Sequence, residues 1–111
     1  MRSERTKKTY LDIRKLTGAD TVSREDGKKI RKVIELFWKS KDKIIVDFSN
    51  SSIASPSFFD EAFAKLILKY PLDEVKKKLS FKEMTKFDRA MLNDLVMMRS
   101  SLNKRDKHLK A

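Results

Sequence analysis

A joint rich in serine and followed by two acids is the place where this sequence could do chemistry. In "IIVDFSNSSIASPSFFDEAF", residues 44–63, Ser55, Pro56 and Ser57 lead directly into Phe58, Phe59, Asp60 and Glu61. A serine where a strand runs into a helix has two uses. Its hydroxyl can cap the helix by accepting a backbone N–H, or it can carry a phosphate, which a helix N-terminus favours. Two cap registers fit. Ser57 with Asp60 three residues later makes a Ser-x-x-Asp box; Ser55 at the cap puts Pro56 at the first helical position, where it is tolerated best. Asp60 and Glu61 have the residue types of a catalytic pair, but adjacent helical side chains point about 100° apart and do not converge. Acids in a first turn interact well with the helix dipole, yet they would repel a phosphate dianion on Ser57. On a helical wheel Asp60 shares a side with Ala64 and Leu68, away from the centre of the Phe stripe. Those residues form a candidate partner-binding face continuing from Ser57, unless another part of the domain covers them.

Little else in the chain has catalytic character. There is no cysteine, which excludes disulfides, thiolate nucleophiles and Cys-type zinc sites. The single histidine, His108, lies in a polar tail, so triad chemistry has no base at hand. No phosphate-cradling glycine motif is present. Neither a cofactor nor a metal is expected, and the chain reads as non-catalytic. What stands out instead is charge: 27 Lys and Arg against 16 Asp and Glu, formally +11. That balance attracts nucleic acid, anionic lipid or an acidic protein. The basic groups fall at Arg2–Lys8, Lys28–Lys32, Lys76–Lys78 and Arg99–Lys110. Nucleic-acid binding is therefore a candidate function, although no aromatic stacking motif or groove-reading signature accompanies it. Apolar runs such as Ile44-Ile45-Val46 are too short to span a bilayer. The basic N-terminus has no apolar core behind it, so no secretory signal is read there and a cytoplasmic location is expected.

The elements that must position the joint follow from periodicity. The length of 111 residues fits one domain, with basic, flexible ends expected at 1–8 and 104–111. Imperfect alternation at Tyr10, Ile13 and Leu16 predicts an edge strand over about 9–15, and "TGADT" predicts a turn. Ile30, Val33, Ile34 and Phe37 recur at helical spacing behind Ser23 and Asp26, a capping box, and predict a helix over 23–39. Gly27 inside it costs stability relative to Ala, which points to a close packing contact. "IIVDF" predicts a strand buried on both faces, with Asp47 near its end held by a backbone N–H or a Lys. Phe58, Phe59, Ala62, Phe63, Leu66, Ile67 and Tyr70 predict a helix over 56–70. A short helix follows over 71–78, then a brief strand in "LSFKEM". Phe87, Met91, Leu95, Met98 and Leu102 predict a last helix over 86–103. Met84, Met91, Met97 and Met98 are expected to fill core gaps. Helices joining consecutive strands imply a mixed or parallel sheet of three or four strands.

The joint also resembles a known signature. Asp47-Phe48, Ser55, Ser57-Phe58, Asp60 and Glu61 stand where STAS-like domains, the fold of bacterial anti-sigma factor antagonists, carry theirs, and "SREDGKKI" resembles the opening of their first helix. The match is nearest to a STAS-like branch mostly of unknown function. The resemblance implies a small α/β domain, a three- to four-stranded mixed sheet packed with helices mainly on one face. It implies a regulatory protein-interaction module that partners a histidine-kinase-like ATPase or anti-sigma-type kinase, with Ser57 as candidate phosphoacceptor. In the usual joint, Asp-Ser-Ser-Gly, the positions of the Asp, the first Ser and the Gly are here Ser55, Pro56 and Phe58. The partner-binding set implied for this chain is Ser55, Ser57, Asp60, Glu61, Ala64 and Leu68.

Overall fold

Asp12 decides where the first strand stops. Its carboxylate accepts the Lys15 N–H at 3.1 Å, which turns the chain out of β1 (Lys8–Asp12) and into α1 (Ile13–Thr17). The strand expected over 9–15 therefore becomes a shorter strand and a helical turn, because a cap satisfies backbone donors that a further strand residue would leave unpaired. Gly18, at φ 71°, closes α1 by donating its N–H to the Arg14 carbonyl at 2.8 Å, in the left-handed conformation that suits glycine. The computed structural model describes residues 7–49, 51–53 and 56–110, with backbone alone at 52–53 and 102–110.

Two short strands absent from the periodicity reading come next in importance. β2 (Thr21–Val22) leads into α2 (Arg24–Phe37), and β4 (Ser52–Ile53) follows β3 (Lys43–Asp47). β2 and β4 pair in parallel, Thr21 with Ser52 and Val22 with Ile53. The pairing brings the entry to α2 beside the chain that enters α3 (Pro56–Ala62). The capping box of α2 forms as expected, with the Ser23 N–H donating to Asp26 Oδ2 at 2.9 Å. α3 passes into a 3-10 segment (Ala64–Leu68), then α4 (Leu72–Lys78), β5 (Leu79–Lys82) and α5 (Lys86–Lys110).

The main sheet has the order β1-β3-β5 and both of its pairs are parallel. Three strands form it, and it is parallel where the resemblance implied a mixed sheet. Crossovers through helices make parallel neighbours the natural outcome. Ile44 pairs with Leu79 and Val46 with Phe81 and Leu11, so these side chains share the face that the helices cover. On the other face Tyr10 is 65% exposed and Ile45 is half-buried. The helices thus lie on one side, and β3 is buried on one face rather than both. Asp47, at the end of β3, accepts the Ser49 N–H at 2.9 Å and the Ser49 hydroxyl at 2.5 Å. Those bonds, with the Lys82 charge, hold its carboxyl below the usual range.

The core is aromatic at the joint. Phe58, Phe59 and Phe63 are buried and surround Phe48 at ring distances of 6.2 to 6.3 Å. Phe63 meets Phe81 edge-on at 5.0 Å. The helix expected over 56–70 breaks at Phe63, whose ψ of −48° at φ −125° leaves the helical region. The Leu66 N–H then donates to the Phe63 carbonyl, an i to i+3 bond that tightens the following turn. At the far end of α2, Trp38 stacks on Tyr70 at 4.2 Å and donates its indole N–H to Glu74 of α4. The last helix, expected to end at 103, runs on through Lys110; residues 103–110 contain no Gly or Pro to stop it. Leu92 is buried and Leu95 and Val96 are half-buried. Phe87, Met97 and Met98 are exposed by 73%, 59% and 59%. Of the methionines expected in core gaps, only Met84 and Met91 pack against the core.

Gly27 is where α2 and α3 touch most closely. A Cβ there would lie 2.7 Å from the Phe58 carbonyl oxygen and 3.0 Å from Glu61 Cβ. Overpacking of this kind costs about 1–3 kcal/mol, more than the helix preference for alanine, about 1 kcal/mol, returns. Gly27→Ala should therefore lower the urea midpoint with an unchanged m-value, although Ala is the better helix former.

Candidate functional site

α3 opens at Pro56, as the second cap register requires. The register with Ser57 as the cap does not hold, because Ser57 already lies within the first turn. Ser57 is half-buried there. Ser55, the cap of the surviving register, falls outside the described residues.

The two acids are not bare carboxylates facing solvent. Asp60 receives a bidentate grip from Arg99 of α5, Nε to Oδ1 and Nη2 to Oδ2, each at 2.5 Å. Fork-on-fork pairs are among the strongest charge-assisted contacts. The hydrogen bonds from Arg99 are the main reason the Asp60 carboxyl sits below its ordinary range, and they push the guanidinium upward in turn. Glu61 points inward and is 1% exposed. Lys65, one turn on, pairs with its Oε1, and Arg31 Nη1 lies 3.7 Å from the same atom. Arg31 also donates to the Glu61 carbonyl at 2.7 Å, so one side chain of α2 holds both the backbone and the carboxylate of α3. Arg24, the first residue of α2, reaches to 3.9 Å from Oε2. Burial works to raise the Glu61 carboxyl, but the Lys65 hydrogen bond and the charges of Lys65, Arg31 and Arg24 outweigh it and the net direction is down.

Of the proposed partner-binding face, the structure brings together less than the wheel implied. Ala64 is fully buried and Leu68 is 58% exposed. The wheel assumed an unbroken helix, and the break at Phe63 turns the two residues to different environments. Packing of α5 on α3 and on the 3-10 segment covers this side, and Arg99 spans Asp60. Ser57, the outer edge of Asp60 and Leu68 are the members that solvent reaches; Glu61 and Ala64 stand behind them. Arg24, Arg31, Lys65 and Arg99 belong to the site; from the sequence, Arg31 and Arg99 stand only among the basic groups, and Arg24 and Lys65 are not singled out. Lys65 had a readable signal, its i+4 spacing from Glu61. Arg24 and Arg31 are 37 and 30 residues from Glu61 and Arg99 is 39 from Asp60, so no local spacing joins them.

Among the described residues no group of His, Asp and Glu could hold a metal ion, and no helix is long and apolar enough to cross a membrane. A family model described as a STAS-like domain of unknown function (DUF4325) matches residues 26–88, a span that holds α2 from Asp26 onward, the joint and β5. No curated protein and no solved structure matches the chain.

Asp60 and Glu61 both have folded-state pKa values below their unfolded ones, so each adds stability above its unfolded value and loses it as pH falls. Unfolding free energy should drop as pH is lowered from about 5 toward 3. Asp60→Asn should flatten that drop, and urea titrations across the range will read it. Glu61→Leu should cost about 3–5 kcal/mol at neutral pH, because it strands Arg31 and Lys65 beside a buried apolar side chain.

Proposed function

Because the chain belongs to the STAS-like domain family of unknown function, we propose that it is a non-catalytic regulatory module that docks a partner protein at the joint opening α3. The partner in this reading is a cytoplasmic ATPase-kinase of the histidine-kinase-like or anti-sigma type, and Ser57 is the phosphoacceptor. One observation carries the choice of Ser57. Its acidic neighbours, which would repel a phosphate in a free helix, are matched by Arg24, Arg31, Lys65 and Arg99. Four cations against two carboxylates leave a local positive excess. A phosphoserine carries about −1.5 to −2 at neutral pH, close to what that excess accommodates. Arg24 is the freest of the four, with a side chain 62% exposed. Ser57, Asp60 and Leu68 present the surface, while Glu61 and Ala64 fix its backbone from behind.

A second reading has its own observation. The sheet face without helices exposes Tyr10 beside Lys8 and Lys43, with Lys82 further along against Asp47. An aromatic among lysines on an open sheet is suited to single-stranded nucleic acid, by stacking and phosphate contact.

The readings separate experimentally. Incubation with a candidate kinase of this type and ATP should give a single modified peptide containing Ser57, absent from Ser57→Ala. An unmodified Ser57 after full kinase turnover on a control substrate removes the switch. Leu68→Glu should weaken capture of the partner about tenfold or more with circular dichroism unchanged. Binding of an oligonucleotide that falls steeply with salt, and that Tyr10→Ala abolishes, would favour the second reading.

A further inference from the structure

We propose that the groove between β5 and α5 takes an extended acidic segment of a partner protein, which adds to the free edge of β5 as a fourth strand. This surface is distinct from the joint at α3 and does not depend on Ser57. β5 is the last strand in the order β1-β3-β5, and among the described residues no strand pairs its outer side. α5 packs on α3 and on the 3-10 segment. The space left between α5 and β5 is about 450 Å³.

The wall on the sheet side is made of Leu79, Ser80 and Phe81, and the wall on the helix side includes Leu92 and Val96. Consecutive strand residues point to opposite faces. A groove that touches Leu79, Ser80 and Phe81 in succession therefore reaches the edge of the strand as well as its helix-covered face. Backbone groups alternate in the same way. The Lys82 carbonyl accepts the Phe48 N–H at 3.0 Å, so Lys82 and Ser80 direct their backbone groups to the sheet, and Leu79 and Phe81 direct theirs to the groove. The Leu79 N–H is used by the Val75 carbonyl as the cap of α4. The Leu79 carbonyl and both backbone groups of Phe81 remain as an edge template.

Charge selects the occupant. Lys76 and Arg89 line the groove, and no carboxylate does. A second copy of this chain would bring +11 to the same rim, and a nucleic acid has no backbone donors for a strand edge. A fatty carboxylate would fill the apolar walls but leave the Phe81 N–H unpaired. An extended peptide with alternating apolar and acidic side chains meets all three requirements: it pairs the edge, fills the walls and neutralises the rim.

The probe is a capped heptapeptide alternating glutamate with valine, titrated into the full chain labelled with nitrogen-15. Shift changes should centre on Leu79–Lys82 and Leu92–Val96, and the Phe81 amide should become protected from hydrogen exchange. Lys76→Glu with Arg89→Glu should weaken binding about tenfold or more; both side chains are exposed, so folding should survive, with far-UV circular dichroism as the check. Ser57→Asp should leave the affinity unchanged, which separates this site from the joint. The proposal is overturned if the peptide gives no shifts, if a lysine–valine peptide binds equally, or if N-methylation of its groove-facing amides has no effect. Dodecanoate binding in the groove while the peptide does not would overturn it as well.

Discussion

The crossing of α2 over α3 at Gly27 and Glu61 is the constraint on which the rest of the structure depends. Gly27 lets the Phe58 carbonyl approach to a distance that no side chain would permit. At that distance Glu61 is sealed at 1% exposure, and a sealed carboxylate is tolerable only if its charge is answered. Arg31 and Lys65 answer it, and Arg31 also holds the Glu61 carbonyl. The pairing of β2 with β4 sets both helix entries side by side, which is what allows Arg24 to approach the same carboxylate. Position of the joint, burial of the Phe cluster and the local charge balance all follow from one close contact.

Much of this was legible in the residues, and the misses share a cause. Ser23 with Asp26, the stripe at Ile30, Val33 and Ile34, and the glycine among them gave α2 and its need for a close neighbour. Asp47 reads from the sequence as an acid held near a strand end, and Ser49 holds it. Helical spacing could not show that the run after Pro56 breaks at Phe63. Phe63 fits an apolar stripe whether the helix continues or not, and its ring contact with Phe81 comes from 18 residues further along the chain. Asp12 was likewise unreadable as a stop, since a carboxylate ends a strand only when the residues after it turn back to meet it. β2 and β4 are two residues each, too short for any period to register.

The acids at the joint change meaning once their partners are known. In sequence they form a patch of negative charge in a very basic chain. In the fold they are internal fasteners, one binding α2 and the other binding α5. The basic surplus of the chain is thus partly structural: some cations are committed to Asp60 and Glu61. Those that remain exposed include Lys8 on the open sheet face and Lys76 and Arg89 along the groove.

The clasp between Asp60 and Arg99 has a consequence in time. Arg99 comes 39 residues after Asp60, on a helix synthesised after α3. Until α5 leaves the ribosome and docks, the first turn of α3 carries an unanswered acid and the 3-10 segment lacks its cover. The Asp60 side of the joint is therefore complete only once α5 has docked. A nascent chain would carry α2, α3 and the sheet before it carried a finished docking surface.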